Sequence, residues 1–242
     1  IYVNGTKYIT NQTGWISFNV AYNTVGKRSW TVTKVSFNSI TKYRQAVSDP
    51  SIIWDRVHFT LHIAHDRIDV GSSAQISWTG FYEYDGASFM GSVSFNDTIV
   101  KEGVGKYGYT VHRISDPKYG LTKFASNSVA VIFDRLEVYG HGVTDTRCDV
   151  GSSERVWVKV RYDYDDVIFD DDKGGISIGG IPATWDATNT CWYIAVSQDM
   201  VTKIDYLSPS NFTDNMYNLT VISGSVTQSI IWDRISITFS VE

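Results

Sequence analysis

Short blocks of this sequence recur, always in the same order, and that recurrence limits the folds open to it. Ile53-Trp54-Asp55-Arg56-Val57 returns as Ile132-Phe133-Asp134-Arg135-Leu136 and again as Ile231-Trp232-Asp233-Arg234-Ile235. Asp69-Val70-Gly71-Ser72-Ser73 returns as Asp149-Val150-Gly151-Ser152-Ser153, and Tyr82-Glu83-Tyr84-Asp85 as Tyr162-Asp163-Tyr164-Asp165. Near the start, Gly26-Lys27-Arg28-Ser29-Trp30-Thr31-Val32 matches Gly105-Lys106-Tyr107-Gly108-Tyr109-Thr110-Val111, and Ile1-Tyr2-Val3-Asn4-Gly5-Thr6 matches Val93-Ser94-Phe95-Asn96-Asp97-Thr98. The repeating unit is about 80 to 100 residues, the size of an immunoglobulin-like sandwich. The organisation expected is residues 1–51 as the second half of a repeat, 52–131 and 132–230 as whole repeats, and 231–242 as the first strand of another. The chain is thus out of phase with its own period. Either it belongs to a longer array, or a strand from a neighbouring chain completes the partial repeat.

Within the blocks the local signal is alternation with period two, the mark of half-buried strands. Val57-His58-Phe59-Thr60-Leu61-His62-Ile63 alternates apolar and polar, as do Trp15-Ile16-Ser17-Phe18-Asn19-Val20 and Ile235-Ser236-Ile237-Thr238-Phe239-Ser240-Val241. Turn signals separate such runs at Val3-Asn4-Gly5, Asp85-Gly86, Lys173-Gly174-Gly175 and Gly179-Gly180. No stretch of ten residues has helical spacing. The class predicted is all-β, as tandem immunoglobulin-like antiparallel β-sandwiches.

No Gly/Ser-rich or Pro-rich linker separates the repeats. Residues 128–139 and 229–241 read as nearly continuous strand across the boundaries, which predicts a stiff rod rather than wandering domains. An Asp-Arg pair sits at each boundary: Asp55 and Arg56, Asp134 and Arg135, Asp233 and Arg234. Neighbours in a strand point to opposite faces, so the two members do not bond side by side. They are expected either to reach different domains and fix the interdomain angle, or to be ordinary surface charges worth roughly 0–1 kcal/mol if paired.

The order IWDR or IFDR, DVGSS, YxYD and GKxxxTV resembles the tandem Ig-like repeats of large archaeal cell-surface proteins. The likeness spans the chain, with 132–230 departing from it by an acidic insertion near Asp170 and divergent sequence after Ile194. What the resemblance implies is an extracellular, structural or adhesive role on the cell surface.

Composition narrows the function classes. Lys plus Arg number 21 against 26 Asp plus Glu, a net charge of −5. That weighs against nucleic acid, whose binders carry clustered positive charge. No apolar run approaches the roughly 18 residues of a membrane-spanning helix, and no basic-then-apolar leader follows Ile1. Cys148, in place of Ile68 of the other repeat, and Cys191, in place of Tyr107, are expected to form a disulfide worth roughly 3–4 kcal/mol, or else to be two buried free thiols. Asn4, Asn11, Asn96, Asn211 and Asn218 head Asn-X-Ser/Thr sequences and are candidate N-glycan acceptors.

Candidate chemistry is thin. His58 and His62 are on the order of 13 Å apart along one strand and do not share a metal ion. Within the acidic tract Asp163, Asp165, Asp166, Asp170, Asp171, Asp172, the residues Asp165, Asp170, Asp171 and Asp172 are a weak Ca²⁺ candidate without the spacing of an EF-hand. No nucleophile elbow, zinc-protease or phosphate-loop motif occurs. The expectation is a non-enzyme without cofactor: a structural component of a filament, stalk or surface layer, whose partners are other copies or further repeats. A more specific version has Ile235, Ile237, Phe239 and Val241 enter an open sandwich of the next subunit as a donor strand. The alternative is an adhesin or carbohydrate-binding module, which needs an exposed aromatic cluster.

Overall fold

A computed structural model describes residues 1–37, 40–43 and 49–240. The expected class is what the structure has: every regular element among the described residues is a β-strand, and no helix long and apolar enough to cross a membrane occurs among them. Five strands precede the first whole repeat, β1 (Tyr2–Val3), β2 (Thr6–Lys7), β3 (Gly26–Ser29), β4 (Val32–Phe37) and β5 (Ile40–Tyr43), and β6 (Ser51–Trp54) opens it. Then come β7 (Val57–Ile63), β8 (Arg67–Asp69), β9 (Ile76–Tyr82), β10 (Ser92–Phe95), β11 (Gly105–Tyr109), β12 (Val111–Ser115), β13 (Phe124–Ser126) and β14 (Val129–Asp134). β14 runs into the second whole repeat, which continues with β15 (Leu136–Val143), β16 (Arg147–Asp149), β17 (Ser153–Tyr162), β18 (Gly174–Ile178), β19 (Ile181–Pro182), β20 (Thr184–Asp186), β21 (Cys191–Ser197), β22 (Thr202–Ser208), β23 (Asn211–Asp214) and β24 (Ile222–Ser223), and β25 (Val226–Asp233) crosses its far boundary.

Two compact units account for these strands. One comprises Ile1–His62, Ser77–Asn96 and Thr110–Ser128; the other comprises Ile63–Ile76, Asp97–Tyr109 and Val129–Glu242. The first contains the sheets β2-β1-β4-β5, β3-β6 and β10-β12, and nearly all of β13-β7-β9. The second contains β11-β14-β8, β20-β21-β17-β15-β24, β16-β25-β22 and β19-β18-β23. Pairing is antiparallel except for β13 on β7, β14 on β8, β15 on β24 and β16 on β25, which run parallel.

Alternation decides which residues form each core. In β7, Val57, Phe59 and Leu61 are buried, whereas His62 is exposed. Phe59 packs edge-on against Trp78, Phe89 and Phe124 at ring separations of 5.6, 5.2 and 6.2 Å, each such pair contributing about 0.5–1.5 kcal/mol beyond burial. In the second unit β17 turns Val156, Val158, Val160 and Tyr162 inward against Trp192, Ile194, Ile230 and Trp232. Trp192 settles its indole N–H on the carbonyl of Phe169 at 2.8 Å, as a buried donor must.

The repeat is visible strand by strand. The register of β3 on β6 (Lys27 opposite Ile53) is that of β11 on β14 (Lys106 opposite Ile132). The junctional strand does not run straight through. It breaks at Arg135, between β14 and β15, because Asp134 turns its carboxylate back onto the Arg135 N–H at 2.8 Å. After Asp233 no strand is assigned as far as residue 240.

Candidate functional site

Asp134 lies at the end of β14 and is fully buried, and its carboxylate organises the junction around it. One oxygen, Oδ1, accepts the N–H of Arg135 and that of Tyr164, at 2.8 and 2.9 Å. The other, Oδ2, accepts from Nη1 of Arg67 at 3.2 Å. Arg67 is only 6% exposed; its Nη2 bonds Asp165 at 2.5 Å. The guanidinium lies 4.3 Å from the ring centre of Tyr217 and 5.3 Å from that of Tyr162, within cation–π range. Burial pushes the Asp134 carboxyl up, against the two backbone N–H groups and Arg67. Burial also opposes the charge of Arg67, but its bond to Asp165 overrides that and holds the guanidinium above its ordinary value.

A second grip lies beside the first. Asp69, which ends β8, accepts the Thr220 N–H at 2.9 Å, the Thr220 hydroxyl at 2.7 Å and the Val221 N–H at 3.1 Å. Arg67 and Asp69 belong to the repeat 52–131 in sequence; Asp134, Asp165, Thr220 and Val221 belong to the repeat 132–230. All six lie in one compact unit.

Parts of this node recur at the other two Asp-Arg positions. Asp55 Oδ1 accepts the N–H of Arg56 at 2.8 Å and that of Tyr84 at 2.9 Å. Asp233 Oδ1 accepts the N–H of Arg234 at 2.9 Å, and its Oδ2 lies 3.2 Å from Nη2 of Arg147, the counterpart of Arg67. A second corner also repeats. Buried Asp116 accepts the Tyr82 hydroxyl at 2.8 Å and the N–H groups of Lys118, Tyr119 and Leu121. Buried Asp214 does the same for Tyr162, Met216, Tyr217 and Leu219. Burial alone would raise the Asp116 carboxyl, but Tyr82 and the three N–H groups take it below the usual range; the Tyr82 hydroxyl, buried against that charge, is pushed up to about 12.

Several expectations change on this geometry. Arg56 and Arg135 do not reach a different repeat. They bind Glu83 and Asp163, the second residues of the two YxYD hairpins of their own repeats. The reason is local: the Glu83 N–H donates to the Arg56 carbonyl and the Asp163 N–H to the Arg135 carbonyl, each at 3.0 Å, which sets each acid beside its arginine. The residue that does cross is Arg67, whose trace in the sequence is the Arg-x-Asp that precedes Val-Gly-Ser-Ser in both repeats. Asp116 and Asp214 have a trace of the same kind, the shared spacing Asp-x-x-Tyr-x-Leu-Thr, outside the blocks that define the repeat.

No disulfide forms: Cys148 and Cys191 are free thiols. Cys191 precedes Trp192, which lies opposite Val158, and lines a hollow with Lys159, whereas Cys148 lines a hollow with Ser152 and Glu154 at the other end of β17. Six strand steps are about 20 Å, far beyond the roughly 7 Å that a disulfide can bridge. The Ca²⁺ candidate does not assemble. Asp165 is paired with Arg67 and Asp170 with Lys173 at 2.6 Å, while Asp171 and Asp172 are exposed. Among the described residues no group of three or more His, Cys, Asp or Glu can hold a metal ion.

The five Asn acceptors are all exposed. Asn4, Asn11, Asn96 and Asn211 each use Oδ1 to accept a backbone N–H, and Asn4 also donates from Nδ2, the atom that would carry a glycan, to the Ser29 carbonyl at 3.2 Å. Asn218 is exposed at φ 58°. In the tail, Ile235, Ile237 and Phe239 are 92%, 71% and 86% exposed, whereas Val57 and Phe59 at the matching places of β7 are fully buried. Val241 lies outside the described residues.

No protein-family model matches the chain, and no curated protein matches it. Three solved structures match the chain at low identity. The adhesin InvE of Yersinia pseudotuberculosis is 10% identical over 74% of this chain, with a TM-score of 0.30; the chain spans 59% of that structure. FdeC, an adhesin of Escherichia coli, is 10% identical over 85% of this chain and 74% of its own, at 0.33. The D00-D0 domain of intimin is 12% identical over 73% of this chain and all of its own, at 0.30. None of them bears on the archaeal likeness.

Proposed function

We propose that this chain is a structural segment of an extracellular surface assembly, a filament, stalk or surface layer, built from Ig-like repeats locked in series. The observation that carries the reading is the Asp134 node, where the arginine of one repeat sits buried between two carboxylates of the next. Such a pair adds little net stability, since desolvation offsets attraction, but it tolerates one geometry only and so suits a fixed joint. Head-to-tail strand exchange is the finer version. The uncovered face of Ile235, Ile237 and Phe239 suits a strand added to a neighbour's sheet, and such a contact builds an open fibre.

The test is an image of the native particle together with a chain lacking 235–242. The cut falls after β25, so Ile230 and Trp232 stay in their core. Native filaments that vanish in the shortened, still folded chain support strand exchange. Undiminished polymer rejects that version, and a native monomer rejects the assembly.

A second reading, an adhesin or carbohydrate-binding module on the cell surface, is favoured by a hollow of about 320 Å³ lined by Trp157, Tyr193, Arg155, Lys159, Asp186 and Asn189. Aromatic walls with polar rims suit a sugar. Glycan binding that is lost in Tyr193→Ala supports it; binding that survives the change counts against it.

A further inference from the structure

The three Asp nodes are filled to different degrees. Around Asp134 the node is complete. Around Asp55 the carboxylates and tyrosines are present and the arginine is missing; Lys118 occupies the ring faces instead, its Nζ 4.7 Å from the ring centre of Tyr119 and 5.6 Å from that of Tyr82. Asp55 Oδ1 takes the same two N–H groups as Asp134 Oδ1, but Oδ2, the oxygen that in Asp134 receives Arg67, has no partner among the described residues. Tyr84, Asp85 and Tyr119 match Tyr164, Asp165 and Tyr217 in sequence, and with Asp55, Ile53 and Leu121 they line a pocket of about 270 Å³.

The strand beside that pocket is open as well. Arg67 enters its node because β8 pairs parallel with β14, Arg67 opposite Ile132 and Asp69 opposite Asp134. Two backbone bonds fix it: Ile132 N–H to Asp66 O at 2.7 Å and Val70 N–H to Asp134 O at 2.9 Å. The same arrangement recurs with β16 on β25, where Ile231 N–H meets Thr146 O and Val150 N–H meets Asp233 O. β6 has β3 on one side in the register of β11 on β14, and no strand on the other among the described residues. Ile52 and Ile53 are accordingly 51% and 48% exposed, whereas Val131 at the place of Ile52 is 1% exposed. Thr122 and Lys123 match Thr220 and Val221, the residues held by Asp69; no carboxylate reaches their N–H groups among the described residues.

We propose that the pocket of Asp55, Tyr84, Asp85 and Tyr119 is a guanidinium socket. Its occupant is the arginine of an Arg-apolar-Asp strand, supplied by a further Ig-like repeat of this kind and added parallel to the free edge of β6. The arginine lies opposite Ile53, bridges Asp55 Oδ2 to Asp85, and takes the face of Tyr119 from Lys118. The following Asp takes the Thr122 N–H and hydroxyl and the Lys123 N–H. Carboxylates, aromatic faces and a strand edge together select a planar, multidentate cation over a point charge, so lysine is a poor substitute. This inference rests on the reading of repeats locked in series and adds the group that each junction requires.

The experiment joins the segment Ala-His-Asp-Arg-Ile-Asp-Val-Gly-Ser-Ser, residues 64–73 of this chain, to the N-terminus of the full chain through a flexible Gly/Ser linker. Tethering raises its local concentration to about the millimolar range. Backbone amide shifts at Ile53, Asp55, Tyr84 and Thr122 report occupancy. The expected result is a shifted, saturated set of these amides. Occupancy should fall about tenfold when the tethered arginine is changed to lysine, and similarly in Asp85→Asn, an exposed position outside the core. Unmoved amides overturn the proposal, as does equal occupancy by the lysine segment. The two readings fail separately: native polymer with unmoved amides removes the socket alone, whereas a filled socket in a natively monomeric protein removes only the assembly.

Discussion

Asp134 and Asp233 stand at equivalent places in the repeat but in opposite environments, so one substitution has two outcomes. Removing one partner of a buried ion pair leaves an uncompensated charge and costs about 3–5 kcal/mol, whereas an exposed pair is worth about 0–1 kcal/mol. Asp134 is fully buried with Arg67, while Arg147 and Asp233 keep 68% and 41% of their side chains in solvent. Asp134→Ala is therefore expected to lower the denaturant midpoint strongly and Asp233→Ala hardly at all. Asp116 supplies the acid dependence. Its carboxyl lies below the usual range in the native state, so its contribution is fully present above the unfolded value near pH 4 and is lost as pH falls through the lower native value. Asp116→Asn should narrow the gap in unfolding midpoint between pH 7 and pH 3. Asp134 has the opposite sign, because its raised native value makes the charged form costlier as pH rises. The recurrence of the Asp-Arg blocks makes Asp134 legible in the sequence, but not Arg67. An ion pair closed between residues so far apart in the chain leaves no trace in local periodicity; only the repeated Arg-x-Asp spacing hinted at it.

Strand alternation was legible because half-buried strands write it into the sequence with period two, as in β7, whose alternate residues are buried from Val57 to Leu61. Sheet switching was not, because it depends on which edge is free rather than on the strand's own pattern. The step from β7 to β8 leaves one sheet and joins another in parallel. Two glycines mark a further constraint at this scale. A Cβ on Gly91 would lie 2.0 Å from the carbonyl oxygen of Ser115, and one on Gly174 would lie 2.0 Å from that of Thr213. Both follow the core phenylalanines Phe89 and Phe169, and the acidic insertion of the second repeat falls between Phe169 and Gly174. The obstruction is backbone in a packed sheet and cannot swing aside. Gly91→Ala and Gly174→Ala are each expected to cost at the upper end of, or beyond, the about 1–3 kcal/mol typical of overpacking. Chemical denaturation of each variant reads this directly; wild-type midpoints would mean that the strands yield where the packing says they do not.

Molecule-wide, the absence of the expected disulfide shifts stability onto packing. Two cysteines in one repeat invite a covalent staple, and Cys148 stands where the other repeat has Ile68 and Cys191 where it has Tyr107. Alternation says which face a residue occupies but not how far along the sheet it lies, and the two thiols lie beside opposite ends of β17, which are about 20 Å apart by strand rise. Cohesion in the second unit then comes from the core around Val156, Val158, Trp192, Ile230 and Trp232. Reductant should accordingly leave the thermal midpoint unchanged. Thiol labelling should separate the two sites: Cys148 is half-buried and reacts in the native protein, whereas Cys191 is buried. Burial, followed by the nearby Asp186 charge, raises its thiol above the ordinary value, so little thiolate is available. Cys191 should react only when the chain unfolds, giving one fast and one unfolding-limited equivalent. A midpoint that drops on reduction, or a native protein with no reactive thiol, would mean that the cysteines are joined and that β17 does not hold them apart.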